Sequence, residues 1–247
     1  MATQLLDRVP PTLRTLAKRT ALRFGFDVTR HPFSTRLARL CADRGITAVL
    51  DVGANSGQYA QMLRQAGFRG RIVSCEPVAD AHHRLARAAA ADPDWEAERV
   101  ALGAAAGEVE IHVAGNSYSS SVLPMLDSHL RAAPESAYVR TETAPMSTVD
   151  ALMACRGLRP AETLLKIDVQ GFEGAVLAGA RDALPVLAAA QVELSLVPLY
   201  EGQQLIGDIV ERMAEAGMCL WGLEPGFCDA ADGRMLQCDG LFVRSDS

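Results

Sequence analysis

The chain has 247 residues, 49% of them hydrophobic and 22% charged, an ordinary globular balance with enough apolar material for one substantial α/β domain or two small ones. A net charge of −6 without a clustered basic surface excludes nucleic acid as the expected partner. Six cysteines without a CxxC or a zinc-spaced Cys/His cluster read as free thiols of a reducing compartment, and the absence of an apolar signal core or of a continuous apolar stretch near about 18 residues gives a cytoplasmic expectation.

The charge is uneven. Residues 1–44 hold nine Lys/Arg against three Asp/Glu, a balance of +6, and the remainder holds 15 against 27, a balance of −12. Residues 1–33 are expected as a basic helical extension: "PPTLRTLAKRTALRF" (10–24) starts at its prolines and keeps Arg14, Lys18 and Arg19 on the wet side. Such a segment suits an acidic surface of the same fold, a second copy in a homo-oligomer, or peripheral contact with anionic lipid. Residues 34–247 are expected as a single domain. "STRLARLCADRG" (34–45) predicts a helix with Ser34 as its cap and Gly45 as its stop.

An α/β rhythm follows. Strands are predicted over 46–51, 71–76 and 95–102, with helices over 58–67 and 78–91 between them. Largely apolar strands alternating with helices indicate a parallel sheet covered on both faces. Residues 103–147 interrupt the rhythm as a substrate-side insertion, with an alternating strand over 107–115, a polar turn-rich stretch over 116–124, a short helix in "MLDSHL" and an extended 137–144. A helix over 147–157, capped by Ser147 or Thr148, leads back to a strand over 162–169, a helix over 172–184 and a strand over 188–197. Residues 203–217 carry the clearest helical stripe, Leu205, Ile206, Ile209, Val210 and Met213. Strands over 218–224 and 240–245 are predicted to pair antiparallel through a turn at Asp232–Gly233.

"DVGANSG" (51–57) places Gly53 and Gly57 between a strand and a helix, where glycine lets the backbone turn and approach a ligand closely. The spacing is neither G-x-x-x-x-G-K-[ST] nor G-x-G-x-x-G, which argues against nucleotide triphosphates and nicotinamide cofactors. Asp51 would repel a pyrophosphate and suits an ammonium or sulfonium ligand. Glu76, twenty-five residues on at the end of the next strand, can accept both hydroxyls of a ribose. Ala101 and Leu102 could flank a flat base. Together these describe a pocket for S-adenosylmethionine.

"LKIDVQGFEG" (165–174) puts Asp168 at the carboxyl edge of a strand, where open α/β sheets place ligands. Lys166 shares its face and reads as an ion-pair partner, and Glu173 reads as a helix-start charge. Glu193, the one carboxylate in the next apolar strand, would reach the same rim. The two acids could supply a general base toward a hydroxyl, or ligate a divalent cation such as Mg²⁺, a reading not favoured because only two carboxylates are evident. His112 and His129 are further candidates for the base. Asn116 and Ser117, with Ser119, are candidate substrate contacts, and Tyr200 a candidate pocket wall.

"VLDVGANSGQYA", "SCEP", "STVDALM", "LLKIDVQGFEGAVLAGA", "VELSLVPLYEGQ" and "CDGLFVR" resemble, in content and order, the FkbM family of S-adenosylmethionine-dependent methyltransferases over roughly 46–244. The resemblance implies a Rossmann-like class I methyltransferase fold, with a seven-stranded, mostly parallel sheet, an antiparallel last strand and helices on both faces. It implies O-methylation of a hydroxyl on a sugar, glycolipid or natural-product scaffold. Carried onto this chain, the cofactor residues would be Asp51, Gly53, Asn55, Gly57 and Glu76, with Asp168 at the reaction rim. Relatives commonly carry glutamate where this chain has Gln170, a departure that weakens any metal cluster needing an acid there. The rival of another class is a non-catalytic small-molecule-binding or scaffold protein of the same fold.

Overall fold

The computed structural model describes residues 32–245, and Thr20 and Arg23 besides; the basic helix expected over 10–24 otherwise lies outside the described residues. The first described helix, α1 (Phe33–Asp43), starts at Pro32, and Ser34 makes no cap because it already lies inside the helix. Its stop is as expected, with Gly45 at φ 65°. Then come β1 (Ala48–Val52), α2 (Gln58–Ala66), β2 (Arg71–Cys75), α3 (Ala79–Ala89) and β3 (Trp95–Glu98). The predicted third strand is in fact two. β3 pairs with β2, and after Glu98 the chain leaves the sheet, so that β4 (Ala101–Leu102) pairs elsewhere.

The insertion contributes β5 (Gly107–Ala114), α4 (Asp127–Ala132) and β6 (Tyr138–Ser147). With β4 these make a second, three-stranded sheet in the order β4-β6-β5. The main sheet resumes through α5 (Val149–Arg156), β7 (Thr163–Ile167), α6 (Glu173–Ala178), β8 (Ala189–Ser195), α7 (Ile206–Glu215), β9 (Met218–Pro225) and β10 (Gln237–Arg244). Its seven strands run in the order β3-β2-β1-β7-β8-β10-β9. β10 is antiparallel to both its neighbours, and the other pairings are parallel. Strand order reverses between β1 and β7, the crevice where α/β sheets take ligands.

Both faces of the sheet are filled. On one, Leu50, Leu165, Ile167 and Val192 pack with Met153 of α5, Val176 and Leu177 of α6, and Ile209 and Met213 of α7. On the other, Val49, Ile72, Leu164 and Leu241 pack with Leu37 of α1, Leu63 of α2 and Leu85 of α3. Each such buried side chain contributes roughly 1.5–3 kcal/mol. The helix expected over 172–184 is shorter than its pattern. α6 ends at Ala178, and beyond it the two carboxylate oxygens of Asp150 accept the N–H groups of Asp182 at 3.0 Å and Ala183 at 2.9 Å, which holds the chain in turns. Among the described residues no helix is long and apolar enough to cross a membrane.

Of the two candidate caps for α5, Thr148 serves: its hydroxyl accepts the Ala151 N–H at 3.1 Å. Thr148→Ala is expected to cost about 1 kcal/mol in urea unfolding, with Thr148→Ser recovering most of it.

Candidate functional site

The β1–α2 loop is built by close approach. Gly53 has φ 78°, and a Cβ there would lie 1.8 Å from the Asp168 carbonyl oxygen. Only glycine lets the loop touch the end of β7. The N–H groups of Gly53 and Ala54 both donate to the Cys75 carbonyl at 3.0 Å, tying the loop to β2. Asn55 is left-handed at φ 47°, and this aims its N–H at Glu76 Oε2, 2.9 Å away. Glu76 Oε1 accepts the Val78 N–H at 2.9 Å. The carboxylate that ends β2 is thus held by two backbone donors. Burial still pushes its pKa up to about 7 against those hydrogen bonds.

Registry sets a polar row across the sheet on the α2 side: Ser74, Asp51, Lys166 and Gln191 face one another on β2, β1, β7 and β8. Asp51 is 0% exposed and Lys166 5%. Trp95 Nε1 donates to Ser74 Oγ at 3.0 Å, and Ser74 Oγ to Asp51 Oδ2 at 3.0 Å. Lys166 Nζ lies 3.5 Å from Asp51 Oδ1 and 3.2 Å from Asp168 Oδ2, donates to the Gly53 carbonyl at 3.3 Å, and stands 5.5 Å over the Tyr59 ring. Burial opposes its charge, but Asp168, Asp51 and Asp239 outweigh burial and raise its pKa above the ordinary lysine value. Asp51 is pushed up by burial against the pull of Lys166 and Ser74.

After β7 the chain turns through Gln170, left-handed at φ 56°. Glu173 Oε1 shapes this turn by accepting the N–H groups of Val169 and Gly171, each at 3.1 Å. The Gln170 amide bridges the two rim acids, with Nε2 2.9 Å from Asp168 Oδ1 and 2.9 Å from Glu193 Oε2. Its carbonyl accepts the Tyr200 hydroxyl at 2.8 Å. Gln237 on β10 adds a second donor to Glu193 Oε2 at 2.7 Å. Burial, then Asp168, Glu173 and Asp239, hold the Glu193 carboxyl well above the usual range. The Asp168 side chain keeps 35% of its surface exposed.

A cavity of about 700 Å³, open on one side, lies between the edge of the main sheet and the second sheet. Gly53, Asn55, Glu76, Ala101, Leu102 and Asp168 line it. Ser117 does too, at the tip of the insertion, where its carbonyl accepts Asn55 Nδ2 at 3.0 Å. Asn55 Oδ1 is buried without a partner among the described residues. Asp51 lies beneath this surface, and Gly57 lies behind it against the Trp95 ring, 2.7 Å from where a Cβ would be. Asn116 is spent on its own loop, accepting the N–H groups of Tyr118 and Ser119 at 3.1 Å and donating to Ser119 and Ser136. His112 stacks on Tyr138 at 4.9 Å. Tyr200, fully buried, stands behind Gln170. His129 is buried, with Nε2 3.2 Å from Ser136 Oγ. Among the described residues no group of three or more His, Cys, Asp or Glu is arranged to hold a metal ion, and both Asp168 oxygens already meet Lys166 and Gln170.

Sequence reasoning missed Gln191, Tyr59, Asp239 and Gln237 as parts of this edge, and it read Lys166 only as an ion-pair partner. Only for Lys166 did the sequence hold a signal: a cation flanked by leucine and isoleucine in a strand that ends in an acid.

The description "Methyltransferase FkbM domain" belongs to the family model that matches residues 51–218. Solved structures align with the chain at low identity. The methyltransferase FkbM from Methylobacillus flagellatus KT aligns with a TM-score of 0.49 and 13% identity over 79% of this chain, which spans 44% of that protein's length. The magnesium protoporphyrin IX methyltransferase of Synechocystis PCC 6803, with bound S-adenosylmethionine, aligns at 0.46 and 12% identity over 86% of this chain and 78% of its own. The CcbJ methyltransferase from Streptomyces caelestis aligns at 0.42 and 12% over 86% and 95%. No curated protein sequence matches the chain significantly.

The ion cluster sets a stability test. Lys166→Met is expected to cost roughly 3–5 kcal/mol in urea unfolding at pH 7.5, because it strands a buried carboxylate. Adding Asp51→Asn should recover part of that loss, whereas simply additive losses would show that the pair is not coupled.

Proposed function

The chain belongs to the methyltransferase FkbM domain family, and we propose on that premise that it transfers a methyl group from S-adenosylmethionine to a hydroxyl of a small-molecule acceptor, a sugar, glycolipid or natural-product scaffold. One observation carries the reading. A single cavity has Glu76, fixed by two backbone N–H groups, in one wall and the partly exposed Asp168 in another.

The residues present fit the donor. Each Glu76 oxygen carries one N–H and keeps acceptor capacity for a ribose hydroxyl. Ala101, Leu102, Val78 and Ile111 give an apolar slot for a base, and the unpartnered Asn55 Oδ1 is an acceptor in search of a donor. When bound, S-adenosylmethionine supplies an electrophilic methyl group on a sulfonium. The protein's part is to hold the acceptor oxygen in line and to take its proton, and positioning supplies much of the rate. Asp168 is the candidate base. Lys166 and Gln170 fix its two oxygens and so its orientation. Glu193, whose pKa is raised by burial and by neighbouring acids, accepts the Gln170 and Gln237 amides and helps to fix the network around Asp168. Asp51 acts through Lys166 as a positioning residue.

Two measurements test this. S-adenosylhomocysteine should bind in calorimetry, and Glu76→Ala should weaken it roughly 10- to 100-fold, the worth of hydrogen bonds to a charged group. Ribose hydroxyls donate to the ionised carboxylate, so protonation of Glu76 competes with binding. With its pKa at about 7, affinity should rise about tenfold from pH 6 to pH 8 and lose that dependence in Glu76→Ala. Absence of binding heat would instead favour a protein that does not use this donor. Asp168→Asn should keep S-adenosylhomocysteine affinity while radiolabelled methyl transfer to a panel of glycosides and glycolipids falls roughly 10²- to 10⁴-fold. Unchanged transfer would remove Asp168 as the base.

A further inference from the structure

A second depression adjoins the donor cavity, and the mechanism above leaves it unused. It is open, about 690 Å³ including the solvent at its mouth, shares Gly53, Asn55, Tyr118 and Asp168 with the first, and continues past Asp168 to Lys166, Gln191 and Asp239. Registry explains its position. Lys166 and Gln191 are partners on β7 and β8, and β10, antiparallel to β8, brings Asp239 opposite Glu193. Asp168 therefore borders both spaces, and Glu76 with its apolar slot belongs to the first alone.

The chemistry of the second space is distinct. Tyr59 and Tyr118 line it, and Tyr118 is 65% exposed at its mouth, so aromatic faces border a ring-sized volume. Gln191 and Gln58 line it as well and brace the two rings: the Gln191 carbonyl accepts the Tyr59 hydroxyl at 2.8 Å, and Gln58 Nε2 donates to the Tyr118 hydroxyl at 3.4 Å. Lys166, its cation, is already shared between Asp51 and Asp168. Asp239 also faces the cleft, where Gln191 hydrogen-bonds it and the charge of Lys166 acts on it without a direct ion pair; with Asp51 and Asp168 it sets three carboxyl groups around that one cation. β7 and β10 are two strand spacings apart, about 10 Å, a span that admits one sugar ring between the reacting hydroxyl at Asp168 and Asp239.

We propose that this cleft is the acceptor site and that Asp239 is its charge-selecting residue, admitting an uncharged or amine-bearing polyhydroxylated ring and rejecting one that carries carboxylate or phosphate. The assignment rests on the donor reading above. Discrimination comes from like-charge repulsion against the wrong acceptor as much as from attraction to the right one.

The test uses the full chain saturated with S-adenosylhomocysteine, at pH 7.5, in saturation-transfer NMR. The three probes are methyl α-D-glucopyranoside, the methyl glycoside of glucosamine, and the methyl glycoside of glucuronic acid. The first two should bind, and the glucuronide at least about tenfold more weakly, the scale of one unscreened charge contact. Asp239→Asn should keep the neutral glycoside and lose any preference for the amine. Asp239→Lys should admit the glucuronide. In both variants S-adenosylhomocysteine affinity by calorimetry should stay within about twofold, which also shows that they fold. The proposal is overturned if none of the probes binds while S-adenosylhomocysteine does, if the glucuronide binds as well as the neutral glycoside, or if Asp239→Lys leaves the ranking unchanged. Failure of S-adenosylhomocysteine itself to bind would instead overturn the donor reading.

Discussion

A lysine with one-twentieth of its surface exposed sits at the carboxyl edge of a parallel sheet, and the architecture of the edge depends on its charge. Lys166 lies between Asp51 beneath and Asp168 above. An unpaired carboxylate at position 51, wholly buried on a central strand, would cost several kcal/mol. The lysine makes it tolerable, and the Ser74–Trp95 chain takes up the other oxygen. The same ammonium donates to the Gly53 carbonyl, so one charge fixes both the glycine loop and the rim acid. A loop that carries part of the cavity and a carboxylate that borders it are held by a common group, and neither can shift alone.

The elements legible in the sequence are those set by short-range pattern. Apolar runs ending in an acid marked β1, β2 and β7, the first and last followed by glycine and β2 by Pro77, and they placed Asp51, Gly53, Glu76 and Asp168 at strand ends. What the sequence did not disclose is non-local. Asp239 and Gln237 reach the edge only because β10 inserts between β8 and β9 in reverse, and nothing near residue 239 announces its partner on β8. The split of the third strand had the same origin: Ala101 and Leu102 are as apolar as strand residues should be, but their partners are Met146 and Ser147. The shortened α6 was decided by Asp150, more than twenty residues upstream of the chain it holds. Asn116 was the right residue type for a substrate loop, yet asparagine is as apt to close its own turn, and here it does.

Gln170 decides how the rim charges are distributed. Its amide donates to both Asp168 and Glu193. A carboxylate in that place would bring three acids within hydrogen-bonding distance, and at least one would have to stay protonated or recruit a cation. The neutral amide removes that requirement at nearly the same size. Its left-handed backbone and the Tyr200 hydroxyl hold it in one orientation, and Ser121 Oγ donates to its backbone carbonyl at 2.6 Å. The two rim acids are left inequivalent. Asp168 is partly open and paired with a cation, while Glu193 sits among amides and other acids.

Ser121 also belongs to the second sheet's side of the cavity, and this joins the two halves of the site. The insertion meets the main sheet through Ser121 on the Gln170 carbonyl and through Asn55 on the Ser117 carbonyl. Its loop is braced internally by the Asn116, Ser119 and Ser136 side chains. The braced base and the few contacts at the tip give the two parts different freedoms. The floor, built from β1, β2 and β7, is locked by backbone donors and a buried ion cluster. The roof near Tyr118 is held at its end by side-chain contacts such as Gln58 Nε2 to the Tyr118 hydroxyl at 3.4 Å. Tyr118 borders both spaces, so in the proposed enzyme the group free to adjust to an acceptor is the one that lies over the point of transfer, while the groups that must not move are anchored in the sheet.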